Sequence, residues 1–344
     1  MSMVTNIRRN KMALTTLCFL AITVLLALFS YLIIPDSSRN ANRQIPQLAL
    51  SAPLSTHSVC ESVKEQNNKR SILSTLLYGK EDNSIYYPCD SMIYAADIST
   101  IHYKNSVVDR PGEYKRTEVN YLLGSDKYGR DLLSRLILGL RVSLIIGFLA
   151  VLVSITIGVV IGSIGGYYGS WIDQVVMIII NTSWSIPTLL LAFAIIIALG
   201  KGFIVIVLAV GLTMWVDVAR IVRGQIKEEK EKSYVAGGKV MGLSDLRIIA
   251  RHILPNIIGP ILVMAAANFA TAILVEAGLS YLGLGIQPPA PSLGNMLKEN
   301  YAYATGGYVY LAICPIITIM LLVLNFNLLG TALRDVFDVK SNSR

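Results

Sequence analysis

The sequence predicts an all-α integral membrane protein with six membrane-spanning helices. Three observations support this fold class. Of the 344 residues, 53% are hydrophobic and only 15% are charged, and the mean hydropathy is +0.57. Apolar runs near the ~20 residues that a bilayer requires recur along the chain. The polar segments between these runs carry their basic charge unevenly, as the loops of membrane proteins do.

The candidate spans are the apolar runs 12–34, 142–166, 172–199, 202–219, 257–284 and 308–330. The fourth run is the weakest because it is short and contains Asp217, so five spans are the alternative count. Pro187 and Pro315 predict kinks in the third and sixth helices, since proline lacks the donor that a helix interior needs. Asp131 suits the start of a helical lead-in to the second span, where a carboxylate meets the positive end of the helix dipole.

The distribution of basic residues predicts the orientation of the chain. Arg8, Arg9 and Lys11 precede the first run, and segment 220–251 carries a further net charge of +4. By the positive-inside rule both regions are cytoplasmic, which places both termini inside and segment 35–137 outside. Because topology accounts for this basic charge, we do not expect binding to nucleic acid.

The predicted organisation follows from these spans and their orientation. It comprises a cytoplasmic N-terminus (1–11), a first transmembrane helix (12–34), an extracytoplasmic segment (35–137), a five-helix core (138–335) containing a cytoplasmic loop (220–255), and a cytoplasmic tail (336–344). The first apolar run is longer than the ~15 residues typical of a signal peptide. An uncleaved anchor is therefore favoured over a cleaved signal peptide.

Two of the four cysteines, Cys60 and Cys89, fall in the extracytoplasmic segment. In an oxidising compartment they can form a disulfide, but two cysteines alone do not decide between a pair and free thiols. The chain has no CxxC or HExxH motif and no clustered histidines and cysteines, so no metal site is predicted. No Ser/His/Asp triad, pair of acids or set of metal ligands is expected at a common depth in the membrane. No catalytic residue is therefore assigned, and an enzyme is not expected.

Several residues inside the apolar runs suggest helix packing or a transport pathway. Gly158 and Gly162 have the small-xxx-small spacing that lets helix backbones approach closely in lipid. Glu276 is the only carboxylate deep in the fifth run and is expected near the outer interface. It either serves a transport pathway or hydrogen-bonds to a neighbouring helix. Asn325 and Asn327 are expected to hydrogen-bond between helices.

The polar stretch from Arg220 to Asn256 contains two short helix-like segments. Residues 233–241 predict a first helix, which Gly242 ends as a C-cap. Ser244 then N-caps a second helix, and Pro255 marks its end. The apolar face of this second helix is formed by Leu246, Ile249, Ala250, Ile253 and Leu254.

The middle of the first helix consists of the small residues Ala236, Gly237 and Gly238. Two adjacent glycines cost a helix about 1 kcal/mol each relative to alanine. A sequence tolerates that cost if the surface of another protein has to approach the backbone closely. A flexible loop with incidental glycines is the alternative interpretation.

From about Leu123 to the C-terminus, the chain resembles the permease subunits of ABC importers for dipeptides and oligopeptides. The matching stretches are LGSDKYGRDLLSR (123–135), RVSL (141–144), GYYG (166–169), ARIVR (219–223), HILPN (252–256), ILVEAGLSYLGLG (273–285), PSLGNML (291–297), NLLG (327–330) and LRD (333–335). The resemblance implies the type I ABC importer permease fold, with a large extracytoplasmic loop after the first helix. It also implies that the chain translocates peptides across the cytoplasmic (inner) membrane of a bacterium by alternating access.

The same resemblance implies partners. These are a second homologous permease subunit, two cytoplasmic ABC ATPase subunits, an extracytoplasmic substrate-binding protein and membrane lipid. The chain has no GxxxxGK[ST] phosphate-binding loop. ATP and Mg²⁺ are therefore expected in the partner ATPases, and no cofactor is expected in this chain.

In that family a Glu-Ala-Ala-x-x-x-Gly element of the cytoplasmic loop docks into a groove of the ATPase subunit. The corresponding residues here are 236–242, where Ala236 replaces the acid and glycines replace both alanines. A salt bridge made by that acid is therefore missing. The residues that the resemblance assigns to ATPase coupling are Tyr234, Ala236, Gly237, Gly238, Gly242, His252, Leu254 and Pro255.

Other functions remain open at this point. Related permeases carry other small solutes, such as nickel complexes. A secondary transporter driven by an ion gradient would favour buried charged relays or inverted repeats. The chain shows a single interfacial acid and no convincing repeat. A membrane-anchored binding protein would instead place its function in segment 35–137 and leave the later spans passive.

Overall fold

A computed structural model describes residues 11–62, 72–80, 84–95, 98–104 and 106–337. The predicted N-terminus, with Arg8 and Arg9, and most of the predicted tail 336–344 lie outside the described residues. The described chain forms two compact units. One comprises residues 11–22, 143–287 and 319–337, and the other comprises residues 23–142 and 288–318.

The described helices, in chain order, are α1 (Lys11–Leu28), α2 (Ser30–Ile33), α3 (Ile72–Tyr78), α4 (Leu132–Tyr168), α5 (Ser170–Trp184), α6 (Thr188–Leu199), α7 (Phe203–Lys230), α8 (Ser233–Val240), α9 (Asp245–Ile248), α10 (Ile258–Tyr281), α11 (Leu293–Ala304) and α12 (Tyr310–Phe337). A π-helical turn, Ile249–Ile253, follows α9. The described strands are β1 (Ser55–Ser62), β2 (Tyr86–Pro88), β3 (Ser91–Ala95), β4 (Ile98–Tyr103), β5 (Ser106–Pro111) and β6 (Tyr114–Tyr121).

Within the described residues, α1, α4, α7, α10 and α12 are each long and apolar enough to cross a membrane. The pair α5 and α6 passes the same test together but is bent by 88°, which gives five spans, or six if the pair is one span. Pro187 lies in the break and has an extended ψ of 128°. The predicted kink at Pro187 is therefore confirmed, as a sharp break rather than a bend within one helix. Pro315 lies inside α12.

Helical structure extends beyond two of the predicted apolar runs. The helix of the fourth run continues to Lys230, so the first part of the predicted loop 220–255 is helical. The reason is that Val218, Val222 and Ile226, spaced four residues apart, are buried on one helix face well past the apolar run. Charge marks where a helix leaves the membrane and not where the helix ends. The predicted lead-in and the second run form the single helix α4, which begins at Leu132.

Asp131 immediately precedes α4 and caps it. Its Oδ2 accepts a hydrogen bond from the Ser134 backbone N–H at 2.8 Å, as the predicted helix start requires. The carboxyl is buried, and this burial raises its pKa above the ordinary value. The hydrogen bonds from Ser134 oppose that shift.

The all-α prediction is wrong for segment 35–137. Its described part contains two three-stranded antiparallel sheets, with strand orders β2-β1-β6 and β3-β4-β5. In the first sheet Ser55 pairs with Tyr121, far along the chain, so the pairing leaves no local sequence signal. The structure joins Cys60 and Cys89, both fully buried, in a disulfide with Cα atoms 5.7 Å apart. Ile101 and Tyr114 pack around this disulfide.

Candidate functional site

The connection between α7 and α10, residues 231–257, is called the coupling segment below. It contains the two short helices that the sequence predicts, α8 and α9. Gly242 has a φ of +75°, and its N–H donates to the Lys239 carbonyl while the Leu243 N–H donates to the Gly238 carbonyl. These two bonds form a Schellman motif, which requires a left-handed residue at the position of Gly242. The predicted C-cap at Gly242 is therefore confirmed.

The second half of the coupling segment differs from its prediction. Ser244 occupies the N-cap position, but its side chain makes no capping hydrogen bond. The α-helix lasts four residues and passes into the π-helical turn, which ends at Ile253, before Pro255. The wider π-helical turn changes which residues share a face. Of the predicted apolar face, Ile249 and Ile253 are buried, Leu254 is half-buried, and Leu246 and Ala250 are exposed.

A buried apolar cluster fixes the coupling segment to the helices beneath it. Val235, Ile248 and Ile253 are each no more than 1% exposed and pack with Val222 and Ile226 of α7. Burying an aliphatic side chain of this size stabilises a fold by about 1.5–3 kcal/mol. The coupling segment is therefore a packed structure, which excludes the flexible-loop interpretation of its glycines.

Three hydrogen bonds join the coupling segment to the helix ends. The Tyr167 hydroxyl of α4 donates to Asp245 Oδ1 at 2.7 Å. The Tyr234 hydroxyl donates to Glu229 Oε2 at 2.6 Å, and Lys232 donates to the other carboxylate oxygen of Glu229. Burial and the hydrogen bond to Glu229 raise the pKa of the Tyr234 phenol. Tyr234, assigned to coupling by resemblance, therefore stays a neutral donor that anchors the start of α8.

An ion cluster at the same end of the bundle joins α5 to α7. Asp173 accepts hydrogen bonds from the Arg223 guanidinium, including one from Nη2 at 2.7 Å, and from Lys227 Nζ at 2.5 Å. Arg223 and Lys227 lie four residues apart and so share one face of α7. Sequence reasoning missed this cluster because the spacing of two cations does not identify the acid that they meet.

The outer side of the coupling segment exposes apolar residues. Val240 is 89% exposed, Met241 74% and Leu246 75%, and Ala236 is exposed beside them. A side chain added at Gly237 would meet open space. These five residues, Ala236, Gly237, Val240, Met241 and Leu246, are called the apolar tip below.

The two predicted docking glycines differ in their surroundings. A Cβ on Gly238 would lie 3.6 Å from the side chains of both Ile248 and Leu243, so Gly238 faces the buried cluster and not the outside. His252 and Pro255 are exposed on the second half of the segment. Sequence reasoning did not identify Val240 and Met241 as surface residues, because an apolar residue type does not show which face of a short helix stays uncovered.

The glycines predicted to permit close helix packing do so, and their partner is α7. A Cβ on Gly158 would lie 2.5 Å from Val218 Cβ, and one on Gly162 would lie 2.5 Å from the Ala219 carbonyl oxygen. Neither position has room for a side chain at the present helix separation.

The three polar residues predicted in the spans have different environments. Glu276 is fully buried and hydrogen-bonds to Ser143 of α4 at 3.0 Å and to Ser280 at 2.7 Å. This bears out the hydrogen bond expected between Glu276 and a neighbouring helix. Asn325 is 7% exposed, but its Nδ2 has no hydrogen-bond partner in the part of the chain that the structure describes. Asn327, two residues on, is exposed because it lies on another face of α12.

The sequence of this chain matches a known family and its members. The family described as "Binding-protein-dependent transport system inner membrane component" matches residues 154–340, more than half of the chain and the whole coupling segment. The dipeptide transport system permease protein DppC of Lactococcus lactis subsp. cremoris is 33% identical over 286 residues, covering 79% of this chain and 83% of the relative.

Two further relatives match a shorter part. The oligopeptide transport system permease protein OppC of Bacillus subtilis is 37% identical, covering 64% of this chain and 72% of the relative. The glutathione transport system permease protein GsiD of Pectobacterium atrosepticum is 40% identical, covering 64% and 73%. A solved structure of the MetNI methionine ABC transporter is 20% identical with a TM-score of 0.49, covering 60% of this chain and 97% of that chain, a likeness too low to define the fold.

Proposed function

Because the chain belongs to the family of binding-protein-dependent transport system inner membrane components, we propose that it is the permease subunit of an ATP-driven importer of short peptides. Alternating access of its spans moves the peptide across the inner membrane. The chain supplies the pathway, and separate ATPase subunits supply the energy.

The apolar tip is the observation that carries this proposal. Val240, Met241 and Leu246 are largely exposed, although they stand on helices held in place by a buried cluster. Exposed apolar side chains on a fixed backbone are typical of a surface that a protein partner covers. Gly237 lets that partner approach the backbone closely. Lys239 and Arg247, both exposed, are sequence neighbours of Val240 and Leu246, as is the exposed Asp245, and the two cations favour a partner with acidic groups at its rim.

The orientation of the chain decides which side this partner occupies. The positive-inside rule puts both termini and the coupling segment in the cytoplasm and segment 35–137 outside. An ATPase that binds the apolar tip pushes on α8 and α9 when it closes around ATP. The push reaches α4 through Tyr167 and reaches α7 through the buried cluster.

The assembly around this chain follows from the same proposal. A second homologous permease completes the pathway, two ABC ATPases bind from the cytoplasm, and a substrate-binding protein delivers peptide from outside. ATP and Mg²⁺ bind to the ATPases, and this chain holds no cofactor of its own. Membrane lipid covers the remaining apolar faces of the spans.

The names of the relatives support peptides as the substrate class. The relatives include dipeptide, oligopeptide and di/tripeptide permeases. A further relative is named as a glutathione permease, and glutathione is itself a tripeptide. Uptake of glutathione is therefore the second candidate function.

Purification in mild detergent tests the proposal. We expect an ATPase and a second permease to accompany the wild-type chain, and Met241→Asp to lose the ATPase because a charge enters the apolar tip. Leu54→Asp is the matched control, since Leu54 is 80% exposed outside the coupling segment, and it should keep the ATPase. Peptide transport into liposomes by the purified chain without any ATPase would overturn the proposal.

A further inference from the structure

Helix α10 ends in a sharp reversal of the chain. The Gly283 N–H donates to the Ser280 carbonyl at 3.0 Å, and the Leu284 N–H donates to the Leu279 carbonyl at 2.9 Å. Gly283 has a φ of +85°. These bonds form a Schellman motif, in which the residue after the helix adopts the left-handed conformation that glycine favours. Residues 282–287, called the α10 turn below, therefore fold back toward the helix.

The α10 turn lies directly on Ser280. A Cβ on Gly285 would lie 1.8 Å from Ser280 Oγ and 2.4 Å from Ser280 Cα. Ser280 itself is fully buried. Any displacement of the Ser280 side chain therefore changes the surface on which the turn rests.

Glu276 holds Ser280 and a second helix at the same time. One carboxyl oxygen accepts from Ser280 Oγ at 2.7 Å, and the other accepts from Ser143 Oγ of α4 at 3.0 Å. All three side chains are fully buried. The α10 turn also contacts the connection between α6 and α7, because Lys201 Nζ donates to the Gly283 carbonyl at 3.1 Å.

Apolar packing does not explain an acid at this position. A buried carboxyl in a membrane span is expensive, whereas an apolar residue would fill the same space without that cost. Truncating the acid would remove the carboxyl oxygens to which two buried hydroxyl groups donate. The carboxyl has two acceptor oxygens: one meets a hydroxyl of α4, and the other meets a hydroxyl one turn further along α10. The acid therefore ties α4 to the last turn of α10.

We propose that Glu276 is a positioning residue that fixes Ser280 relative to Ser143 of α4, so that the α10 turn stays seated on Ser280 during the transport cycle. The link to transport rests on the proposed function, but the position of the turn does not. Without the carboxyl, the turn opens more often, and ATP hydrolysis proceeds with less peptide moved per ATP.

The reactivity of a cysteine introduced into the α10 turn tests the position of the turn directly. Leu282 is 54% exposed in the turn, so Leu282→Cys is introduced into a complex in which Cys18 and Cys314 are alanine. We expect Glu276→Ala and Ser143→Ala to raise the rate of modification by a soluble maleimide about fivefold, as loss of one hydrogen bond predicts. Glu276→Gln should restore the wild-type rate, because its amide oxygen accepts from Ser280 and its amide N–H donates to Ser143.

The control and the transport readout separate this inference from the proposed function. Leu274→Ala, at a residue 50% exposed on the same helix, should leave the rate unchanged. In the same variants, peptide transported per ATP hydrolysed should fall for Glu276→Ala and return for Glu276→Gln. Unchanged thiol reactivity in both Glu276→Ala and Ser143→Ala overturns the inference. A wild-type complex without peptide transport counts against the proposed function alone, because the thiol rates still report the position of the turn.

Discussion

The Tyr167 hydroxyl donates a hydrogen bond to Asp245 Oδ1 at 2.7 Å, joining the last turn of α4 to the first residue of α9. The two residues lie far apart in the chain, and one belongs to a membrane-spanning helix while the other belongs to the coupling segment. Beside this contact, Val218 and Val222 of α7 pack against Tyr167 in the buried cluster. A force applied to α9 therefore has a direct route to α4.

Removing the Tyr167 hydroxyl should weaken the coupling of ATP hydrolysis to peptide transport without disrupting the fold. We expect Tyr167→Phe to keep the ring in the buried cluster and to cost about 1 kcal/mol of stability. Peptide transported per ATP hydrolysed should fall, because α9 loses its bond to α4. Tyr168→Phe is the control, since the Tyr168 ring is 47% exposed beside it. If Tyr167→Phe and Tyr168→Phe move equal amounts of peptide per ATP hydrolysed, the hydrogen bond does not contribute to coupling.

The packing of α4 on α7 should be sensitive to one methyl group. A Cβ on Gly162 would lie 2.5 Å from the Ala219 carbonyl oxygen, so Gly162→Ala should push the helices apart and cost about 1–3 kcal/mol. Gly224→Ala is the matched control, because a Cβ there meets nothing within 4 Å and helix propensity favours alanine. Thermal melting in detergent measures the stability of both variants. A Gly162→Ala variant as stable as Gly224→Ala would contradict the close helix approach.

The two adjacent glycines of α8 should separate docking from folding. Gly237 faces open space, so Gly237→Trp should leave the melting temperature near that of the wild type and abolish binding of the ATPase. Gly238 faces Ile248 and Leu243, so Gly238→Trp should lower the melting temperature itself. Co-purification and thermal melting measure the two effects. Retention of the ATPase by Gly237→Trp would remove the apolar tip from the interface.

Asp131 should contribute to stability in a pH-dependent way. Asp131→Ala loses the cap of α4 and should cost about 1 kcal/mol, whereas Asp131→Asn keeps a capping oxygen. Burial raises the pKa of folded Asp131, so the bound proton stabilises the fold fully below the ordinary carboxyl range. That contribution is lost as pH rises through the raised pKa.

The comparison with asparagine isolates this contribution. The stability of the wild type relative to Asp131→Asn should rise as pH is lowered from 8 to about 5. Melting of both proteins at the two pH values checks the sign. A constant difference between them would mean that the folded and unfolded carboxyls titrate alike.

The accuracy of the sequence-based predictions depended on how local each signal was. Hydropathy located α1, α4, α7, α10 and α12, because crossing a membrane is a property of about 20 consecutive residues. The cap at Gly242 and the break at Pro187 were found because backbone conformation there depends on one residue. The strands β1 and β6 were missed, since their pairing joins residues that are distant in the chain.

The site divides in the same way. The positions of α8 and α9 were predictable, but the side of each helix that faces outward was not. Within α9, Ile248 is buried and Leu246 is exposed, contrary to the predicted periodicity. The contact between Asp173 and Arg223 could not be predicted either, because α5 and α7 meet only in the folded bundle.

By itself, the sequence determined that this chain spans a membrane, where its helices lie, and that a structured polar segment separates two of them. Those properties depend on residues close together in the chain. Only the tertiary structure decided that Gly237 faces outward while Gly238 faces inward, and that Glu276 joins Ser143 to Ser280. These relationships arise from packing between distant segments, because burial and hydrogen bonding are set by whichever elements the fold brings together.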